Sequence, residues 1–126
     1  MSRQPRVNVL LSTYNGAKYI QQQMDSLFAQ TYTNMIIYIR DDGSTDNTLS
    51  LISPYLSRDE KKIILLKNKS NQNIGYMKSF WLLLKESGDA DYYAFCDQDD
   101  VWLPEKIETG VLALSKKDPS IPLLFS

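Results

Sequence analysis

The sequence contains no histidine and a single cysteine, Cys96. A disulfide cannot form within the chain, and the Cys/His ligand sets of structural zinc sites are excluded. A lone thiol fits a reducing, cytoplasmic compartment. Histidine is also the commonest general base, so any acid–base chemistry must use carboxylates, tyrosine, lysine or the one cysteine.

Long apolar and long basic runs are also missing. No segment approaches the roughly 20 apolar residues that a membrane helix needs, and residues 1–8 lack the apolar core of a signal peptide. The formal net charge of -1 favours neither nucleic acid nor an anionic membrane. We therefore expect a cytoplasmic protein without a nucleic-acid partner, and 126 residues are enough for one domain with its own core.

Four short apolar segments predict the strands of a parallel sheet. They are rich in β-branched and aromatic residues and mostly continuous, which is typical of strands buried on both faces. The segment IPLLFS at residues 121–126 has the character of a fifth strand, beginning at Leu123. The four predicted strands are Val7–Ser12, Met35–Arg40, Ile63–Lys67 and Tyr92–Cys96.

Helical periodicity lies between these strands. A weaker helix is expected at about Asn47–Leu56, where Pro54 ends or kinks it. The alternation of strand and helix predicts right-handed βαβ units, and hence an α/β fold with a Rossmann-like, mostly parallel sheet flanked by helices. The apolar stripes of the other three helices are Ile20, Met24, Leu27 and Phe28; Met77, Phe80, Trp81 and Leu84; and, after Pro104, Ile107, Val111 and Leu114.

Polar clusters follow three of the predicted strands. STYNG follows the first, DDGSTDNT the second and DQDD the fourth. Ligands of open parallel sheets bind beyond the carboxyl ends of the strands, so the three clusters are expected to converge on one ligand site.

The DQDD cluster predicts a divalent metal. Like charges this close repel one another and need compensation. Asp97 and Asp99 offer hard oxygen donors suited to Mg²⁺ or Mn²⁺, which bind few carboxylates plus substrate phosphates. An EF-hand is excluded because its glycine at loop position 6 and glutamate at position 12 are missing. A solvated acidic turn that caps the next helix is the alternative.

The other clusters predict contacts with a nucleotide. Tyr14 can stack on a base, and Ser12 and Thr13 can bond to its edge or to ribose, although the same segment also suits a helix-capping loop. One of the paired carboxylates Asp41 and Asp42 could accept a hydrogen bond from a ligand N–H, such as a pyrimidine imide. The Asp-Gly turn and an N-cap at Ser44, Thr45 or Asp46 would explain the rest of this cluster.

Lys78 falls in the first turn of the third predicted helix. A cation there opposes the helix dipole, so a nearby anion would explain it; a simple surface lysine is the alternative. The P-loop lysine pattern and the G-x-G-x-x-G dinucleotide fingerprint are both missing.

Taken together, these segments resemble glycosyltransferase family 2, the inverting nucleotide-sugar transferases of the GT-A fold. The family's order and spacing are kept throughout. More narrowly, LLSTYNGAKYI, IRDDGS and CDQDDVWLPEKI look like bacterial rhamnosyltransferases that build cell-wall or capsular polysaccharide from dTDP-L-rhamnose. The matching segments are VNVLLSTYNGAKYI, LFAQTYTNMIIYIRDDGSTDNT, NQNIGYMKSF and AFCDQDDVWLPEKI.

The resemblance implies a role for each candidate residue. Asp42 would bond to the pyrimidine, and Lys78 would lie near the diphosphate or the base. Asp97-Gln98-Asp99 would be the D-x-D motif, with Asp97 toward ribose and metal and Asp99 on the metal. The residues implied to line the base pocket are Ser12, Thr13 and Tyr14.

The resemblance also implies partners and a division of the protein. The donor would be dTDP-rhamnose or a UDP-sugar, bound with Mn²⁺ or Mg²⁺, and the acceptor a glycan or a lipid-linked glycan. The catalytic carboxylate base comes from the acceptor half, so residues 1–126 would form the nucleotide-binding half alone. We expect such a half to self-associate, and the full-length protein to lie at the inner face of the membrane as a peripheral protein.

Two other functions fit parts of the sequence. DQDDV matches the D-x-D-x-[TV] signature of haloacid-dehalogenase-type phosphatases, with Asp97 as nucleophile and Asp99 as general acid. That motif normally opens a domain, and here too few residues follow it for the later lysine and acidic motifs. A nucleotide-binding module without turnover is the non-enzymatic alternative.

Overall fold

Strands and helices alternate through the computed structural model, which describes residues 4–59, 61–68, 72–96, 101–114 and 123–125. The four predicted strands are confirmed to within one residue at each end, and the fifth begins at Leu123 as predicted. The elements are β1 (Val7–Thr13), α1 (Ile20–Phe28), β2 (Met35–Asp41), α2 (Thr48–Leu56), β3 (Lys62–Leu66), α3 (Tyr76–Glu86), β4 (Tyr92–Cys96), α4 (Lys106–Leu114) and β5 (Leu123–Phe125).

The described strands form one sheet of order β3-β2-β1-β4-β5. Each neighbouring pair is parallel, which confirms the predicted α/β architecture. The chain builds the sheet outward from β1 to β3, then crosses to the other side of β1 to form β4. The change of direction makes the crevice between β1 and β4 the topological switch point, where ligands of such sheets bind.

The central strand β1 is buried along its whole length, because helices cover both faces of the sheet. Successive side chains of a strand point to opposite faces. Val9 and Leu11 accordingly belong to the larger core, which also contains residues of α1, α2 and α4. Leu10 belongs to the smaller core, with Phe80 and Leu83 of α3. Two-sided burial explains why the strand segments are continuously apolar.

The predicted inward face of α3 is wrong for two of its residues. Met77 and Trp81 are 70% and 64% exposed, whereas Phe80 and Leu83 are buried. The inward face also carries the buried Ser79, whose hydroxyl bonds with side chains of the sheet. The prediction used apolar residues alone, so it could not include this polar contact. The predicted inward face therefore lies further round the helix, away from Ser79.

The other helices follow their predicted patterns. Ile20, Met24 and Leu27 of α1 are fully buried. In α4, Ile107 is fully buried and Val111 is nearly so. The predicted helix at Asn47–Leu56 corresponds to α2, with Pro54 in its last turn. Within the residues described, none of the helices is long and apolar enough to span a bilayer.

The two sides of α3 give a direct test of this orientation. Replacing the fully buried Leu83 by alanine removes packed methyl groups and leaves a cavity, so we expect the free energy of unfolding to fall by about 2–5 kcal/mol. Trp81→Ala on the exposed side should change it by no more than about 0.5 kcal/mol. Urea denaturation of both variants measures the difference. A larger loss for Trp81→Ala than for Leu83→Ala would contradict the described face.

Candidate functional site

The carboxyl ends of β1, β2 and β4 lie together at one edge of the sheet. Thr13 pairs with Asp41, and Leu11 pairs with Cys96 on the other side. Tyr14 and Asp42, which directly follow β1 and β2, therefore lie at the same edge of the sheet as the end of β4. The D-x-D residues Asp97 and Asp99, together with the rest of 97–100, lie outside the described residues.

The loops after β1 and β2 are fastened to each other. Asn15 has a φ of 49°, and its side-chain Oδ1 accepts hydrogen bonds from the N–H of Thr45 at 2.7 Å and of Asp46 at 3.3 Å. In return, the N–H of Asn15 donates to the Ser44 hydroxyl at 2.8 Å. The left-handed backbone of Asn15 thus lets one side chain bridge two loops.

Asp46 strengthens the same junction from the other loop. Its carboxylate accepts the N–H of Ala17 at 3.2 Å and the N–H of Thr48 at 3.0 Å. The hydrogen bond from the Thr48 hydroxyl is the main cause that holds the pKa of Asp46 below its ordinary value. The N-cap of α2 is Asn47, so the expectation of a cap at Ser44, Thr45 or Asp46 is wrong by one position.

Of the three residues predicted to line a base pocket, only Tyr14 is exposed, at 41%. The Ser12 hydroxyl donates to the Ser79 hydroxyl at 2.6 Å, and the Thr13 hydroxyl donates to Asp41 Oδ1 at 2.9 Å. Tyr14 is therefore the one of these three residues that a ligand can reach from solvent. A contact of Ser12 or Thr13 with a base or ribose stays a prediction.

Asp41 and Asp42 stand side by side because each carboxylate has its own set of donors. Asp41 accepts from the Thr13 hydroxyl, from the Ser44 hydroxyl at 2.6 Å and from the Ser44 N–H at 2.8 Å. It therefore fixes the turn that follows β2. The sequence alone offers no structural reason for two adjacent aspartates at the end of a strand. These hydrogen bonds supply one.

Asp42 joins the end of β2 to the segment before α3. Its Oδ1 accepts Arg40 Nη1 at 2.7 Å and the N–H of Ile74 at 2.9 Å, and its Oδ2 accepts the N–H of Gly75 at 2.9 Å. Asp42 is only 2% exposed. Sequence reasoning missed Arg40, although an arginine that ends the apolar run MIIYI beside two aspartates is a visible signal.

Residues on both sides of the acidic segment are held in the core. Cys96 and Trp102 are buried, and the N–H of Trp102 donates to the Ser26 hydroxyl at 3.2 Å. The Gln30 amide donates to the Leu103 carbonyl at 2.8 Å and accepts the N–H of Ile107 at 3.0 Å. Two polar side chains, one in α1 and one just after its end, were also missed from sequence and anchor the chain where it leaves the predicted D-x-D motif.

Lys78 is exposed in the first turn of α3, as predicted. The helix begins after Gly75, which has a φ of 89° and so occupies a backbone region that favours glycine. No cluster of three or more Cys, Asp or Glu side chains that could hold a metal occurs within the described ranges. The chemistry of the donor set Asp97 and Asp99 suits Mg²⁺ or Mn²⁺, and its geometry stays a prediction.

A parallel sheet with polar loops gathered at its switch point defines a Rossmann-like α/β protein with a nucleotide-type ligand site. The chain belongs to a particular family of this class. The family model described as "Glycosyl transferase family 2" matches residues 8–124.

Curated relatives of this chain include bacterial glycosyltransferases. An uncharacterized glycosyltransferase of Haemophilus influenzae is 36% identical over 118 residues, which is 94% of this chain and 35% of the relative. The dTDP-rhamnosyl transferase RfbG of Shigella flexneri is 35% identical over 103 residues, 80% of this chain and 35% of RfbG. The chain therefore spans about a third of the length of these relatives.

Solved structures share the fold. S. aureus TarS 1–349 in complex with UDP aligns with a TM-score of 0.73 and 27% identity, over 88% of this chain and 32% of that one. The mannosyltransferase PcManGT of Pyrobaculum calidifontis, in complex with GDP-Man and Mn²⁺, gives a TM-score of 0.82 at 22% identity, over 95% and 34%. The expected GT-A type of architecture is thus confirmed.

The bridge between the two loops can be tested at Asn15. Asn15→Ala loses the side-chain acceptor and forces a Cβ-bearing residue without a local hydrogen bond into a left-handed backbone, which costs about 1–2 kcal/mol. Asn15→Gly loses the same acceptor without that backbone penalty. We expect urea denaturation to show a larger loss of stability for alanine, by about 1 kcal/mol. Equal losses would contradict the positive φ of Asn15.

Proposed function

We propose that the longer protein is a nucleotide-sugar glycosyltransferase and that residues 1–126 form its donor-binding part. One observation carries the proposal: β1, β2 and β4 end at one edge of the sheet, where the exposed Tyr14 and the anchored Asp42 directly follow β1 and β2. The proposed D-x-D segment follows β4 in the sequence. Family membership supports the reaction class. Complexes of TarS with UDP and UDP-GlcNAc support a nucleotide-sugar donor.

Rhamnose is the proposed sugar, because RfbG is a dTDP-rhamnosyl transferase and is 35% identical to this chain. A UDP-sugar is the other donor that the sequence favours. The acceptor is a glycan or a lipid-linked glycan, which the rest of the longer protein would bind.

The described residues have distinct parts in donor binding. Tyr14 stacks on the base, and Ser12 and Thr13 shape the floor beneath it. Asp42 accepts the ring N–H of a pyrimidine: three of its roughly four acceptor positions are taken, and one on Oδ2 remains. Because the Asp42 carboxylate is buried, the base must displace some of the groups that shield it from solvent. Lys78 faces the diphosphate from the start of α3.

Asp97 and Asp99 would hold Mn²⁺ or Mg²⁺, and Asp97 would also contact ribose. When bound, the cation supplies positive charge that stabilises the leaving diphosphate. The Mn²⁺ complex of PcManGT agrees with this choice at the level of the shared fold.

Transfer would be a single displacement at the anomeric carbon. An acceptor hydroxyl attacks from the face opposite the diphosphate, a new C–O bond forms as the bond to the diphosphate oxygen breaks, and the configuration inverts. A carboxylate takes the hydroxyl proton. We place this base in the longer protein, since Glu108 of α4 already accepts the Thr31 hydroxyl at 2.7 Å.

The phosphatase alternative has no support beyond the DQDDV motif, and family membership speaks against it. Binding without turnover stays the alternative for this chain. Self-association, a cytoplasmic location and a peripheral position at the membrane also stay predictions. An apolar hollow of about 590 Å³ beside α4, lined in part by Val101, Leu103 and Ala113, supports association when the rest of the longer protein does not cover it.

The metal site can be tested with matched aspartate substitutions. Asp99→Asn removes one carboxylate of the proposed pair, and we expect the Mn²⁺-dependent affinity for dTDP to fall roughly tenfold or more. Asp89→Asn, an exposed change between α3 and β4, is the control and should bind as the wild type does. Calorimetric titration with and without Mn²⁺ measures both. Unchanged metal-dependent affinity in Asp99→Asn would remove Asp99 from the site.

Binding and transfer should separate between this chain and the longer protein. We expect the 126-residue chain to bind dTDP with Mn²⁺ but not to move sugar from dTDP-rhamnose to a rhamnosyl or lipid-linked acceptor. A general base contributes typically 10²–10⁴-fold, so its loss alone leaves little activity. The longer protein, assayed alongside, should transfer. Robust turnover by the 126-residue chain would place the base within it.

A further inference from the structure

Arg40 is a buried cation that follows the apolar run MIIYI of β2. Its side chain is 6% exposed, and it forms an ion pair with Asp42. Removing a guanidinium from water is unfavourable unless its charge and its donors are satisfied. The contacts around Arg40 must therefore compensate for the burial of its charge at the end of β2.

Those contacts join three elements of the fold. Arg40 Nη1 donates to Asp42 Oδ1 at 2.7 Å and to the Ser79 hydroxyl of α3 at 3.0 Å. The Ser79 hydroxyl also accepts the Ser12 hydroxyl of β1 at 2.6 Å. A loss of any member loosens the others, because buried hydrogen-bond networks act together.

The network fixes the direction of the Asp42 carboxylate. Arg40 and the N–H of Ile74 occupy Oδ1, and the N–H of Gly75 occupies one position of Oδ2. An ionised carboxylate is acceptor-only with about four lone-pair positions. The remaining position can receive a donor, and it repels another acceptor.

We propose that Arg40 is a positioning residue for nucleobase selection: it holds the Asp42 carboxylate as an oriented acceptor that favours a uracil or thymine N3–H over cytosine. The inference rests on the proposed function, in which Asp42 contacts the base. Uracil and thymine carry a hydrogen on N3, whereas cytosine presents a lone pair there. Arg40 touches no ligand itself and acts through Asp42.

The proposal predicts a change of selectivity as well as of affinity. Without the guanidinium, Asp42 Oδ1 loses the donor that joins it to Ser79 and β1, so the carboxylate is less well oriented toward a base N–H. The uracil N3–H then loses a directed acceptor, whereas cytosine has no such bond to lose, so discrimination between the two bases should fall. A merely structural role of Arg40 would weaken both ligands equally.

The experiment titrates the 126-residue chain with UDP and with CDP in the presence of Mn²⁺. We expect the wild type to prefer UDP, Arg40→Met to lose about tenfold or more of that preference, and Arg40→Lys to retain most of it. Ile39→Val is the control, since Ile39 lies beside Arg40 in β2 but belongs to the larger core. It should lower stability and leave the UDP to CDP ratio unchanged.

Each remaining outcome decides the question. Absence of nucleotide binding by the wild type would contradict the proposed function, and equal binding of UDP and CDP would contradict the role of Asp42 on which the inference rests. A folded Arg40→Met with the wild-type ratio would overturn the inference alone. If Arg40→Met does not fold, Ser79→Ala decides, because it removes the second acceptor of Arg40 without changing charge. A partial fall in the ratio is expected, and an unchanged ratio overturns the proposal.

Discussion

The parallel pairing of β1 with β2 on one side and β4 on the other determines where Tyr14 and Asp42 lie. Parallel strands end at the same edge of a sheet, so these two residues lie at the same edge as Cys96, the last residue of β4. The pairing also creates the switch point, because the chain crosses β1 between β3 and β4. The burial of β1 on both faces supplies the apolar contacts that hold this register.

Donors then organise the acidic residues at that edge. Asp41 receives hydroxyl and backbone donors from β1 and its own turn, and Asp42 receives Arg40 and two backbone N–H groups. Two adjacent carboxylates are tolerated in the interior because each charge is compensated separately. The Asp42 bonds tie the start of α3 to the end of β2. The bonds of Asn15 and Asp46 tie the loop after β1 to the loop after β2.

The chain spans about a third of the length of two curated relatives, and donor binding stays its proposed role. Ser26 of α1 and Gln30 just beyond its end anchor the segment that follows residues 97–100. Cys96 and Trp102, on either side of those residues, are buried. An apolar hollow lies beside α4, where Val101, Leu103 and Ala113 line part of it. A division of donor binding and acceptor binding between two parts of one enzyme stays a proposal.

Local pattern in the sequence determined the strands, the α/β class and the polar clusters, because two-sided burial and turn chemistry act on neighbouring residues. The tertiary structure decided the outward position of Trp81 and the partners of Asp42. Those features depend on Ser79 and Gly75, which are more than 30 residues from β2 along the chain and reach it only through folding. Contacts between residues so far apart in the chain leave no periodic signal in the sequence. The family's motifs therefore predict candidate site residues but not the hydrogen bonds that those residues form.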